Sequence, residues 1–158
     1  MADVLQDPQQ RLPEAAVGLW RLVLGLWSAG LVVVAMALAP LADDLGLPLW
    51  LAPLLVAVLG VVAVVVIPRV RWRRWRYEVR EDEIDLRAGL WTIRRTLVPI
   101  RRVQYVDTES GVLQTFYDLA TVRFYTAAGS TEIPALKRDE AERVRSRVAE
   151  LARTRDDV

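Results

Sequence analysis

The stretch LWLAPLLVAVLGVVAVVVIPRVRWRRWR, residues 49–76, decides how this chain reads. From Leu49 to Ile67 it carries no charge and is interrupted only by Pro53 and Gly60. About 20 apolar residues suffice for an α-helix to cross ~30 Å of hydrocarbon. Pro53 falls near the first turn, where a missing N–H costs least. A helix packed on a soluble core would keep a polar face, and this one has none. The apolar run then gives way to Arg69, Arg71, Arg73, Arg74 and Arg76, five arginines in eight residues.

Toward the N-terminus, Leu22–Ala39 is also free of charge. With Leu19, Trp20 and Arg21 it makes a second candidate span, about residues 19–39. It exceeds the roughly 7–15 residues of a signal-peptide core, and another apolar run follows closely, so a cleaved leader is rejected. The connection Pro40–Pro48 holds Asp43 and Asp44 but no Lys or Arg. Basic residues flanking spans stay on the cytoplasmic side. The arginines after Ile67, with Arg11 and Arg21, therefore predict a multi-pass hairpin in the inner (cytoplasmic) membrane with both termini inside. Trp20, Trp50, Trp72 and Trp75 fall near the expected interfaces, where an amphipathic ring is favoured. Gly25, Ala29, Ala57 and Gly60 are small enough to let two helices approach, and ordinary hairpin packing explains them.

Overall composition hides this division. The chain has 158 residues, 26% charged and 53% hydrophobic, as a globular protein would. Residues 1–68 hold two basic and five acidic side chains, whereas the remaining 90 hold 19 and 15. There is no Cys and no His. Disulfides, thiol nucleophiles, thiolate metal sites and the usual general base are thereby excluded.

Past Trp75 the pattern alternates with period two. Tyr77 and Val79 lead into the polar turn Glu81–Glu83, and Ile84, Leu86 and Ala88 return to Gly89. Arg94–Ile100 reads as a third strand, which Pro99 places at an edge or an end. Val103, Tyr105 and Asp107 continue the alternation. Val112–Asp118 reads as a single helical turn. Leu119–Ala127 and Ser130–Ala135 read as two further strands around Ala128–Gly129. Over residues 137–155 the period becomes 3.6, with Ala141, Val144, Val148 and Leu151 on one stripe. Asp139 and Glu142 have capping-box spacing at its start. Leu86, Val98, Val122, Phe124 and Val148 are the expected core.

The predicted organisation is a cytoplasmic tail (1–18), a two-helix transmembrane hairpin (19–67, spans about 19–39 and 49–67) and an arginine-rich juxtamembrane segment (68–76). An α+β domain (77–153) follows, a bent antiparallel sheet or open barrel capped by a C-terminal helix, and then a short tail (154–158).

Arg76-Tyr-Glu-Val-Arg80, Ile84-Asp-Leu-Arg-Ala-Gly-Leu90 and Arg94–Val106 occur in that order, the last with its Pro99-Ile-Arg-Arg-Val-Gln104 block. Together they resemble the bacterial pleckstrin-homology-like domain of small membrane proteins of the YdbS type. Leu113-Gln114, Leu119–Val122 and the Thr126–Gly129 turn extend the likeness over residues 74–152, and the two spans fit the same layout. The chain departs at Asp118, where relatives carry Gly, and at Thr115, where a basic residue is common. Asp accepts left-handed backbone better than most residues, so the turn is expected to survive. The resemblance implies a PH-like barrel at the cytoplasmic membrane, an accessory or partnered protein, and no enzyme.

The residues themselves assemble no catalytic site. Ser110, Thr108 and Ser130 have no His to activate them. Lys137, the one lysine, stands at a helix entrance. Glu81, Asp82 and Glu83 lack calcium-loop spacing. No catalytic, cofactor or metal residue is assigned, and no cofactor, nucleic acid or small-molecule substrate is expected. The tract Arg71–Arg76 has the basic and aromatic residues of a single-strand binder, but directly after a span the same residues suit an interface. The bilayer is thus the first expected partner. The residues expected at the membrane surface, or against anionic lipid, are Arg69, Arg71, Arg73, Arg74, Arg76, Trp72 and Trp75. The other expected partner is another membrane protein, a related PH-like one included, or a second copy of this chain. Arg94, Arg95, Arg101 and Arg102, flanking the Pro99 strand, are the candidates to meet it. Two functions compete: a non-catalytic adaptor or accessory subunit that binds protein, and a surface sensor that binds anionic headgroups.

Overall fold

Both apolar runs fold as long helices in the computed structural model: α1, Ala15–Asp43, and α2, Leu51–Arg74. The structure describes residues 7–43, 48 and 50–156. Asp44 and much of the acidic connection lie outside the described residues, as do the outermost parts of both expected tails. The chain divides into two compact units, Val17–Val70 and Met1–Ala16 together with Arg71–Val158.

Within the first unit, sheltered positions recur every three or four residues. They are Gly25, Ser28, Val32, Ala35 and Ala39 on α1, and Val56, Gly60, Ala63 and Ile67 on α2. Each set lies along one helix face. The other faces leave Trp27, Val33, Met36, Leu59 and Val61 between 62% and 71% exposed, which only a hydrocarbon solvent would cover. A Cβ on Gly60 would lie 3.0 Å from the Ser28 Cβ, whereas Gly25 and Gly30 face open space. The close approach expected of the small residues therefore rests on Gly60 and Ser28. Both helices also run past the expected spans: α1 passes Pro40 and α2 passes Pro68. Each proline removes one backbone bond near a helix end, too little to stop an otherwise paired helix.

The second unit has the expected PH-like architecture. Strands β1 (Arg76–Val79), β2 (Glu83–Ala88) and β3 (Arg94–Pro99) form one antiparallel sheet in that order. A 3-10 turn, Ile100–Arg102, leads to the second sheet of β4 (Val103–Glu109), β5 (Leu119–Thr126) and β6 (Gly129–Lys137). The helical turn α3, Val112–Phe116, lies between β4 and β5, and helix α4, Arg138–Asp156, follows β6. All five residues expected in the core are buried, with Tyr77, Ile84, Ile133 and Leu136 added to them. Ala141 and Val148 of α4 are fully buried, so the predicted stripe faces the sheets.

Several local features refine the sequence reading. Asp118 adopts φ 53°, so the turn survives without Gly as expected. Ala135 also sits at φ 53°, where pairing of β5 with β6 shifts register between Ala120 and Val122. That bulge bends the strand toward closure. Asp139 is the second residue of α4 and not its N-cap; its carboxylate meets Arg143 at 3.2 Å. The N-terminal segment is not a loose tail over its described part. Gln10 exchanges both backbone bonds with Tyr77, at 3.1 and 3.0 Å, while Leu12 and Ala16 are buried. The Tyr77 hydroxyl donates to Glu140 at 2.5 Å, joining β1 to α4. Burial first, and then this carboxylate, push the phenol above its ordinary range.

Phe124→Ala is expected to destabilise the β-rich unit by ~3–5 kcal/mol, the range for emptying a fully buried aromatic site. A urea titration of the full chain in mild detergent reads this. Gly60→Leu is expected to lower the melting temperature of the helical hairpin, with Gly30→Leu nearly neutral. Parallel circular-dichroism melts in the same detergent distinguish the two.

Candidate functional site

A helix end leaves carbonyls without intrahelical partners, and cations there are favoured. Arg76, just past the end of α2, meets part of this need. Arg76 Nη1 donates to the carbonyls of Arg73 at 2.9 Å and Trp75 at 2.7 Å. Arg74 Nη1 donates to the Leu90 carbonyl in the β2–β3 loop. Burial, then the charges of Arg11 and Arg87, hold the Arg76 guanidinium below its usual range. Arg69 and Arg73 are exposed.

The two tryptophans expected at the membrane surface are both packed, wholly or in part, within the domain. Trp75 is only 7% exposed. Trp72 is half-buried, and its indole N–H donates to the Leu12 carbonyl at 2.7 Å. Apolar area and an unpaired carbonyl within the same unit provide both with partners. The exposed tryptophan of this region is Trp91, 96% accessible in the β2–β3 loop. The sequence reading did not single it out; its signal was an aromatic residue placed between two strands, outside either alternating pattern.

The four strand-flanking arginines also separate. Arg94 and Arg95 begin β3, whereas Arg101 and Arg102 lie in the turn beyond it. At about 3.3 Å per residue the two pairs stand roughly 20 Å apart along the chain. Arg95 is engaged internally: Nε lies 3.0 and 3.2 Å from the two Asp85 carboxylate oxygens, and Nη2 lies 2.6 Å from Oδ2. This pairing, led by its hydrogen bonds, raises the Arg95 pKa. Asp85 is wholly buried and also has Arg80 at 3.8 Å. Asp85 alternates in sequence with the core residues Ile84 and Leu86, and the two guanidiniums cover it. Arg101 and Arg102 remain exposed.

The first hairpin is acidic, as the sequence implied. Arg80 meets Glu78 at 3.2 Å and Glu83 at 3.7 Å across it. On the second sheet, Tyr105 and Tyr125 stack with ring centroids 4.2 Å apart. Beside them Arg123 bridges Glu109 at 2.8 Å and Glu132 at 3.0 Å. No metal-ligating cluster occurs among the described residues.

Arg95→Met should lower the melting temperature sharply, because it strands a buried carboxylate. The double change Asp85→Leu/Arg95→Leu should recover most of the loss, as replacing a whole buried pair usually does. Circular-dichroism melts of the three proteins check the order.

Comparison with known proteins accords with this architecture. Residues 17–152 match the family described as Bacterial PH domain. The chain is 41% identical over 155 residues to the UPF0699 transmembrane protein YdbS of Bacillus subtilis (strain 168), covering 96% of this chain and 98% of that protein. It is also 30% identical over 83 residues to the UPF0699 transmembrane protein YdbT of the same organism, half of this chain but 17% of that one. No solved structure matches. With two helices long and apolar enough to span a bilayer, followed by two three-stranded sheets and a closing helix, the chain is a membrane protein of the bacterial PH domain family.

Proposed function

We propose that this protein is a non-catalytic adaptor or accessory subunit whose PH-like domain binds a protein partner at the cytoplasmic face of the inner membrane. The observation that carries this reading is the free side of β3. It ends its sheet, its residues Arg94–Leu97 are all exposed, and exposed Arg101 and Arg102 follow directly. An end strand offers unpaired backbone groups to an added strand, and flanking charge selects an acidic partner. Tethering to a span raises the effective concentration for a partner in the same membrane.

The arginine asymmetry around the spans supports cytoplasmic termini, and hence a cytoplasmic domain. The partner fitting this surface best is another membrane protein with a PH-like domain, or a second copy of this chain. The likeness to one segment of the larger YdbT protein supports the first choice, since it places a related sequence in another transmembrane chain. The absence of His and Cys from the sequence supports a binding role over catalysis.

Charge reversal at Arg101 and Arg102 is expected to reduce recovery of a stoichiometric protein partner from detergent-solubilised native membranes several-fold. The melting of the domain should stay nearly unchanged, because both side chains are exposed. Equal recovery by parent and variant, or no stoichiometric protein with the parent, would remove the adaptor reading.

A further inference from the structure

Beyond the β3 edge, one end of the PH-like unit holds a cleft of about 440 Å³. Its walls include Arg71 at the end of α2, Arg94 and Thr96 of β3, and Thr131 of β6, over a floor of Trp75 and Leu86. The strand register explains the mixture. Leu86 pairs with Thr96 and Ala88 with Arg94, so these residues continue the inward-facing row begun by Ile84 and Val98. Toward the β2–β3 loop this row changes from apolar to polar and cationic. Two guanidiniums and two hydroxyls thus converge above an apolar floor. Glu132 is the acidic side chain among the lining residues; Arg123 meets its carboxylate at 3.0 Å, and its charge also acts on Arg71.

The rim of this cleft is a built loop. Gly89 has φ 153°, and a Cβ there would fall on the Thr92 carbonyl oxygen, so the tight path requires glycine. The Leu90 carbonyl is held by Arg74 from α2. Held in this way, the loop projects Trp91, 96% exposed, with Ile93 at 47% beside it. An exposed tryptophan is costly in water and favoured at a bilayer interface. Arg71 stands four residues beyond Ile67 in the same helix, about one turn past the end of the apolar run.

We propose that the β2–β3 loop is a membrane-contact element in which Trp91 enters the bilayer interface while the Arg71–Arg94 cleft receives the phosphate of an anionic phospholipid. Guanidinium pairs suit phosphate oxygens, threonine hydroxyls complete the donor set, and the apolar floor accommodates the adjoining glycerol region. This assigns lipid contact to residues other than the packed Trp72 and Trp75. It also lies away from the acidic first hairpin. The cleft shares Arg94 and Thr96 of β3 with the adaptor surface but not the Arg101–Arg102 turn, whose charge reversal tests the adaptor reading separately.

The test uses the full chain reconstituted into vesicles of phosphatidylcholine, with or without phosphatidylglycerol. Brominated acyl chains quench tryptophans within the bilayer, so the difference between the parent and Trp91→Phe isolates Trp91. The expected result is a Trp91 component quenched several-fold more with phosphatidylglycerol present, and reduced by Arg94→Glu or by high salt. A polarity-sensitive label on Trp91→Cys gives a second reading, since the chain has no native cysteine. Its emission should shift to the blue on the anionic vesicles alone. A label equally open to aqueous iodide on both vesicles would overturn the proposal. So would shielding seen only in native membranes, which would mean a protein contact. Protection by inorganic phosphate on zwitterionic vesicles would make the cleft a free-anion site and likewise overturn the membrane assignment.

Discussion

A helix that emerges from hydrocarbon still has to pair its last carbonyls, and the PH-like unit is organised around how α2 does so. Bilayer lipid offers no hydrogen bonds, so a spanning segment has to remain helical until other donors take over. Here one such donor is Arg76, just beyond the helix, and its neighbour Arg74 ties the helix end to the β2–β3 loop. Arg76 reaches back to the carbonyls of Arg73 and Trp75, and Arg74 reaches forward to Leu90. The same few residues end the helix, begin β1 and secure the β2–β3 loop. Between them Trp75 provides buried apolar area.

A second constraint is the carboxylate of Asp85, buried in the middle of β2. An ionised group in that position is tolerable only with charge and hydrogen bonds directed at it. Arg95 supplies them from the neighbouring strand, and Arg80 adds a more distant charge. This ties the register of β2 and β3 to one ion pair. It also divides the arginines around β3 into distinct roles. Arg95 belongs to the fold, Arg94 opens onto the cleft, and Arg101 and Arg102 are left at the surface.

These two constraints leave two exposed regions on the domain, the end strand β3 with the turn after it and the cleft beside Trp91. In the proposed adaptor role, β3 and the turn after it offer backbone and charge to a protein partner. In the proposed membrane contact, the cleft and Trp91 offer guanidinium and indole to lipid. The two regions share Arg94 and Thr96 at the start of β3, and about 20 Å of chain separates that end from Arg101 and Arg102.

What the sequence determined by itself was whatever depends on local pattern. Uninterrupted apolar length identified the spans, period-two alternation identified the strands, and the 3.6-residue stripe identified α4, because each signal is repeated along the chain. The PH-like order of elements, the left-handed turn at Asp118 and the buried choices from Leu86 to Val148 were legible for the same reason. The candidate site was legible only as a set of arginines. Asp85 alternates with the core residues Ile84 and Leu86, and nothing local indicates that Arg95 will fold over it. The cluster Arg71–Arg76 reads as a uniform interfacial band until tertiary packing draws Trp72 to the Leu12 carbonyl and buries Trp75. Burial of one indole and exposure of another, Trp91, depends on which surfaces lie nearby in space. That is a property of contacts between segments as far apart as residues 12 and 72, and only the tertiary structure decided it.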